Sequence, residues 1–514
     1  MTIQGGVTRR GPVGGLQRLL VRKSVQQIQT EHDTSDLKRS LGAVNLVLLG
    51  IGCIIGAGIF VRTGSAAALH AGPAVVLAFV IAGLICAFSG LCYAELASVL
   101  PVSGSAYTYS YATLGEFAAW IMGALLLLEY GLSASTVAVG WGEYFVSFLA
   151  DMHVSLPLAL TLPAGQTETL ADGRVVTGLF NLPAAGISLV MATLLVMGVS
   201  ESATINNIVV AIKLAVIVVF IAVGAFFVKP ENWTPFIPEP TGEPGEFGWG
   251  GVLRAATIVF FAYIGFEAVS TAGQEAKNPK RDLPIGIIGS LVICTILYMA
   301  TSMVLTGLVP YPELNSGAPV ADAVDSFGPG WKWFAVSVKI GALAGLTSVI
   351  LVLMYAQTRI FYTMARDGLI PPVFASIHRT LKTPWINTLI TGLIVGVSAG
   401  VFDINTIGDL TSIGTLAAFS VVCLTVIWLR ITRPDLPRGF RVPFYPVVPV
   451  LGILSCLFLM TRVEPRVQLF FAIFLAGTLA TYFLYGFWHS KLGQGIIVKG
   501  HEPPLDEVLA PSAD

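Results

Sequence analysis

Leu49-Gly50-Ile51-Gly52-Cys53-Ile54-Ile55-Gly56-Ala57-Gly58-Ile59-Phe60 places four glycines within nine residues of an apolar stretch. Glycine inside a helix costs about 1 kcal/mol relative to alanine, so this density weakens a helix in its middle. Small residues at this spacing also let two helices pack closely, and from one helix alone either reading stands. A second stretch, Phe260-Phe261-Ala262-Tyr263-Ile264-Gly265-Phe266-Glu267-Ala268, carries a glycine and an acid at comparable depth in another apolar run. Two interrupted apolar helices at corresponding places in two halves of a chain point to the central site of a secondary transporter.

The surroundings make the solvent of both stretches lipid. The chain has 514 residues, 55% hydrophobic and only 11% charged, with a mean hydropathy of +0.79. A soluble domain of average make-up has about 25% charged residues. About twelve apolar stretches reach the roughly 20 residues that span a bilayer. They run near 42–66, 72–98, 116–147, 182–200, 203–228, 251–272, 284–309, 331–364, 384–402, 407–430, 446–462 and 467–488. The expected fold class is therefore an all-α integral membrane protein with about 12 transmembrane helices.

Charge sets the orientation. Residues 1–41 form a polar tail with Arg9, Arg10, Arg18, Arg22, Lys23, Lys38 and Arg39, and no short apolar region of a signal peptide precedes them. With this tail inside, about 20 Lys and Arg fall on the inner face against about 6 outside, as the positive-inside rule requires. The expectation is a multi-pass protein of the cell's inner (plasma) membrane with N- and C-termini cytoplasmic, and with extracytoplasmic loops at 151–181 and 229–250. The expected organisation is a 1–41 tail, a ten-helix core at 42–430 built of repeats 42–228 and 251–430, two further helices at 431–490, and a 491–514 tail. Five spans per repeat, an odd number, require the second copy to be inverted.

Several classes drop out. A net charge of −1 leaves nothing basic enough to follow nucleic acid. The six cysteines lie in apolar stretches without metal-ligand spacing, so neither a disulfide framework nor a metal site is expected. No HExxH, GxSxG or Walker loop is found, which argues against an enzyme or an ATP-driven pump.

An unwound helix exposes amide N–H groups at the start of one half and carbonyls at the end of the other. The amides of Gly56, Ala57 and Gly58 would receive an anionic group. Carbonyls near Ile54, Phe261 and Ile264, flanking Ala262, would receive a cationic one. A ligand carrying both charges a few ångströms apart is an amino acid, and Phe261 could close over it.

Ionisable residues inside the apolar spans need reasons, since each costs a few kcal/mol. Lys213, about ten residues into the fifth span, is either a structural ammonium satisfied by helix-end carbonyls or a titrating group in coupling. Glu129 and Glu267 are either packing acids or proton acceptors. Glu95 and Glu143 lie nearer span ends and read as interfacial, and Lys339 as snorkelling or lining a vestibule.

Beyond the two glycine stretches, Tyr93-Ala94-Glu95-Leu96, Glu275-Ala276-Lys277-Asn278-Pro279-Lys280-Arg281-Asp282-Leu283-Pro284, Met364-Ala365-Arg366-Asp367-Gly368-Leu369-Ile370-Pro371 and Arg438-Gly439-Phe440-Arg441-Val442-Pro443 form one set. Together they resemble the amino acid, polyamine and organocation transporter superfamily, most closely the bacterial members of its cationic amino acid transporter family. The resemblance implies a LeuT-like five-plus-five inverted repeat with discontinuous first and sixth spans plus two extra helices. It also implies proton-coupled uptake of small neutral or cationic L-amino acids by alternating access. In the implied roles, Gly56, Ala57 and Gly58 hold the substrate carboxylate, Phe261 is an aromatic gate, and Lys213 stands where sodium-coupled relatives hold their cation. No sodium site or cofactor is then expected, the proton being the coupling ion. Glu129 and Glu267 are implied proton participants, with aspartate common in relatives where this chain has Glu267. An amino acid/polyamine exchanger and a transporter-like sensor fit the same residues. The implied partners are a small amino acid substrate and the bilayer.

Overall fold

The computed structural model describes residues 7–9, 15–23, 40–101, 104–170, 173–198 and 203–498. Arg10, Lys38, Arg39 and Lys499, assigned above to the tails, lie outside the described residues. Among the described residues, eight helical segments are long and apolar enough to cross a membrane: Gly58–Val99, Glu116–Asp151, Asn206–Gly224, Gly248–Gly273, Pro279–Leu308, Pro329–Arg366, Ile404–Thr432 and Pro465–His489. Shorter apolar helices at Ala43–Ile54, Leu182–Val196, Trp385–Val401 and Val447–Met460 fall within the remaining stretches expected to span.

The helices relevant to the site are α1 (Ala43–Ile54), α2 (Val75–Val99), α3 (Ser105–Thr113), α4 (Glu116–Asp151), α5 (Leu182–Val196), α6 (Ala203–Gly224), α7 (Gly248–Phe260), α8 (Pro279–Leu308), α9 (Lys332–Arg366), α10 (Trp385–Val401) and α11 (Ile404–Thr432). Local chemistry starts several of them. Asn181 Oδ1 accepts from Ala184 N at 3.1 Å ahead of α5, with Pro183 in the first turn. Asp403 Oδ1 accepts from Asn405 N and Thr406 N at 3.0 and 2.9 Å ahead of α11. Each satisfies amides that have no partner within the helix.

Packing divides the helices into two sets. α8 lies along α1 and α2, while α4 lies along α9, α11, α5 and α10. The all-helical expectation needs a small addition, because two antiparallel strand pairs are present. Thr167–Thr169 pairs with Val175–Thr177 in the long loop, and Val7–Arg9 pairs with Ile496–Val498.

That second pair joins the two tails. Glu116 N donates to Val21 O at 3.0 Å, and Lys23 Nζ lies 2.9 Å from Asp367 Oδ1. Tyr107 Oη donates to the other oxygen of Asp367 at 2.8 Å, and Lys491 N to its carbonyl at 3.0 Å. The described part of the N-terminal segment is therefore packed onto the bundle. Sequence composition shows only a polar stretch, because its partners lie hundreds of residues away.

Two charged side chains near span ends find partners in distant segments. Glu95, near the end of α2, is fully buried in the protein, its carboxylate held by Arg430 Nε at 2.9 Å, Arg438 Nε at 3.2 Å and Val442 N at 2.7 Å. The Lys339 side chain is buried and its ammonium lies 2.5 Å from Asp151 Oδ2 at the end of α4. In both cases a distant segment supplies the counter-charge that makes burial tolerable.

Candidate functional site

α1 stops at Ile54. Ile55 N still donates to Ile51 O at 3.0 Å, but Ile55 itself is extended, and helical structure resumes as a wide turn at Gly58–Arg62. Ala57 opens that turn with no side-chain cap, leaving its first amides for another acceptor. The second break follows the same logic. α7 ends at Phe260, a tight turn covers Phe261–Tyr263, Ile264 is extended, and Gly265 has φ +118°. Only glycine adopts that conformation without strain.

Glycine also lets the two breaks touch. A Cβ on Gly58 would stand 2.3 Å from Ala262 Cα, and one on Gly265 would stand 2.9 Å from the Cys53 carbonyl. Tyr298 Oη, from α8, lies 2.9 Å from both Ile54 O and Ala262 O, tying the end of α1 to the second break.

At this crossing is a small pocket between the two breaks. Ile54, Gly56, Ala57, Gly58, Phe261 and Ile264 line it, as the sequence reading grouped them. Ala262 lies behind the wall against Gly58, its carbonyl engaged by Tyr298. Two carbonyls proposed for a cation are already in use, Ile54 O by Tyr298 and Phe261 O by Ile264 N at 3.2 Å.

The rest of the wall was missed: Cys53, Ser133, Val137, Val349 and Leu353. A signal existed for some of it. Ser133 and Val137 follow Glu129 at steps of four on α4, and Val349 and Leu353 are four apart on α9, so each set shares a helix face.

Lys213 is fully buried on α6, and its Nζ donates to Gly52 O at 2.8 Å and Ile55 O at 3.4 Å. Its stem packs against Gly345 of α9, where a Cβ would meet Lys213 Cε at 3.0 Å. The ammonium thus occupies the carbonyl end of the first break and joins the two packing sets. Glu129 and Glu267 are also fully buried and face each other beside the cavity, neither on its wall. Gly265 N donates to Glu267 Oε2 at 3.0 Å, so the second break positions that carboxyl.

Away from α1, beyond Phe261, lies a buried charge network that sequence reading did not identify. Arg62, one of the six charges counted on the outer face, is fully buried with its guanidinium 5.5 Å from the Phe261 ring centre. It donates to Asp409 Oδ1 at 2.5 Å, and Arg254 pairs with the other oxygen of Asp409. Three helical elements far apart in sequence meet there, so no local pattern reveals it.

The amino acid permease family profile matches residues 41–487. The chain is 44% identical to the methylthioribose transporter of Bacillus subtilis over 93% of this chain and 100% of that protein. It is 46% identical to the branched-chain amino acid permease BcaP of the same organism over 92% and 98% of the two chains. It is 41% identical to the chloroplastic cationic amino acid transporter 9 of Arabidopsis thaliana over 77% of this chain and 67% of that one. With two broken helices crossing at a cavity and a match over most of its length, the chain belongs to the amino acid permease family of the amino acid, polyamine and organocation superfamily.

Proposed function

We propose that this permease imports an apolar amino acid together with a proton, by alternating access in a twelve-crossing, LeuT-like inverted repeat with both termini cytoplasmic. The observation that carries the reading is the cavity itself, which sets the uncapped amides of the first break against an apolar wall. The amides and the positive end of the following helical turn suit a carboxylate. Val137, Val349, Leu353 and Ile264 suit an aliphatic side chain, and no charged side chain lines the cavity. A cationic substrate would need a carboxylate there, and Glu129 and Glu267 are off the wall, so the apolar class is preferred over the cationic one. The branched-chain permease among the relatives supports the same class.

Coupling to protons is supported by the buried polar groups around the cavity. The Lys213 ammonium engages two carbonyls of the first break, Gly52 O and Ile55 O, which fits the absence of a sodium ion there in this reading. Glu129 and Glu267 face each other in the buried interior, where two like charges repel strongly and a shared proton relieves the repulsion.

A second reading rests on the relative named as a methylthioribose transporter, whose named substrate is not an amino acid. A neutral thioether could occupy the same apolar wall.

The test is uptake of labelled leucine, alanine, arginine and methylthioribose into proteoliposomes, under an inward proton gradient, a collapsed gradient, or sodium alone. Gradient-dependent leucine or alanine uptake, indifferent to sodium and lost in Lys213→Met with binding retained, is expected. Uptake of methylthioribose alone would establish the second reading. Flux only against internal amino acid, or binding without flux, would replace import with exchange or sensing.

A further inference from the structure

Around the Glu129–Glu267 pair, Tyr93 Oη, Tyr109 Oη, Tyr130 Oη and Ser133 Oγ are buried without a full hydrogen bond among the described residues, as are both Glu129 oxygens and Glu267 Oε1. A buried hydroxyl left unpaired costs roughly 1–3 kcal/mol, and native interiors hold few of them. Phenylalanine would fill the same space at the three tyrosine positions without that cost. A cluster of such groups therefore calls for a use.

They can be ordered in a line from the cavity to α3. Ser133 is on the cavity wall, one helical turn from Glu129. Tyr130 lies against the Glu267 carboxyl and Thr415 against that of Glu129. The Tyr93 ring packs edge-on to Phe266 at 5.9 Å, and Tyr93 lies near both carboxyls and Tyr109. Tyr109, on α3, faces Ser270, whose Oγ lies 3.0 Å from Ser105 Oγ. Ser105 begins α3, and α3 meets the N-terminal segment, Lys23 N donating to Tyr111 O at 3.3 Å. Tyr93, Tyr109, Tyr130, Ser105, Ser133 and Ser270 are each at most 1% exposed, so the line is enclosed along its length. Among the described residues, the thiols of Cys53, Cys86 and Cys423 lie near it and are weak hydrogen-bond partners.

We propose that the hydroxyls of Tyr130, Tyr93 and Tyr109, continued by Ser270 and Ser105, carry protons between the Glu129–Glu267 pair and the face bearing the chain termini. The inference rests on the proton-coupled reading above and adds the route. A hydroxyl both donates and accepts, so no tyrosine has to ionise. The carboxyl O–H bond breaks as its proton joins a lone pair of the next oxygen. That oxygen releases its own proton onward, and water at the terminal face takes the last one. Where two oxygens stand too far apart for direct contact, a bridging water passes the proton. The loaded pair holds two protons; one leaves, the other stays shared so that the pair carries one negative charge, and a proton arriving from the cavity side reloads it in the next cycle. Ser133 connects the pair to that side.

The test uses the full chain in proteoliposomes carrying a trapped pH-sensitive dye, with Tyr93→Phe, Tyr109→Phe and Ser270→Ala. Phenylalanine keeps each ring and its packing. Substrate-driven proton influx and gradient-driven uptake are expected to fall at least about tenfold in the tyrosine variants, within the range that positioned proton-transfer groups contribute. Counterflow of labelled against unlabelled substrate at symmetric pH needs no proton release and is expected to keep its wild-type rate. Wild-type proton influx in all three variants would overturn the route, and so would an equal fall in counterflow and driven uptake, which marks a structural role. If the wild type itself shows no substrate-driven proton influx, the proton-coupled reading fails. Coupled wild type with unaffected variants removes the route alone.

Discussion

Replacing Gly58 by alanine puts one methyl group where two broken helices are closest. The added Cβ would stand 2.3 Å from Ala262 Cα and 2.4 Å from Ala262 Cβ, whereas ordinary contact begins at 3.4 Å and extends to 4 Å. The breaks must therefore separate by about 1.1–1.7 Å, and the obstructing atoms include backbone, which has no rotamer to change. Overpacking of this kind costs about 3 kcal/mol. With unfolding entropy of about 2.1 cal/mol/K per residue, that lowers Tm by roughly 3 °C in a chain of this length. Ligand binding suffers more, because Gly58 and Phe261 sit on the same cavity wall. Loss of one hydrogen bond to a charged group costs about 1.5–3 kcal/mol, so Kd for the amino acid should rise roughly 10- to 100-fold. Gly56→Ala is the control. Its Cβ would meet the Val349 methyls at 3.6 Å and Val137 at 3.9 Å, which is ordinary contact. Those valines are themselves on the cavity wall, so this variant should keep the wild-type Tm and discriminate against larger side chains. Scintillation-proximity binding and thermal unfolding of both purified variants measure the contrast. Gly58→Ala with wild-type Tm and Kd would refute the claim that the two breaks touch in the substrate-binding state.

The buried charge network and the joined tails give two further expectations. Asp409→Asn leaves Arg62 and Arg254 without their shared carboxylate in a buried site, which should cost about 3–5 kcal/mol and lower Tm by several degrees; an unchanged melting curve would show that the network is not held together in this way. Asp367→Asn weakens the contacts to Lys23 and Tyr107. The pair is part-buried and its global effect should be about 1 kcal/mol or less, so the sensitive readout is local. Tryptic cleavage at Arg22 and Lys23 should accelerate while cleavage elsewhere does not. Unchanged protection of that segment would mean that the other bonds to residues 18–23 suffice.

The amino-acid sequence by itself determined the solvent, the helical class and the two points of interruption. It does so because lipid demands long apolar runs, and because glycine at Gly56, Gly58 and Gly265 removes side-chain bulk where the backbone must turn. It also grouped six of the seven cavity residues assigned to substrate, since contiguous residues at a helix break share one place in space. Tertiary structure decided what depends on separate segments meeting. It set Ala262 behind the wall, brought Val349 and Leu353 onto it, and gave Lys213 the carbonyls of Gly52 and Ile55. It buried Glu95 between Arg430 and Arg438, Arg62 against Asp409, and the residues around Lys23 against the end of α9. A charge on a linear chain shows only that it must find a partner. Which partner it finds, across more than 300 residues in each of these three cases, follows from how the helices pack.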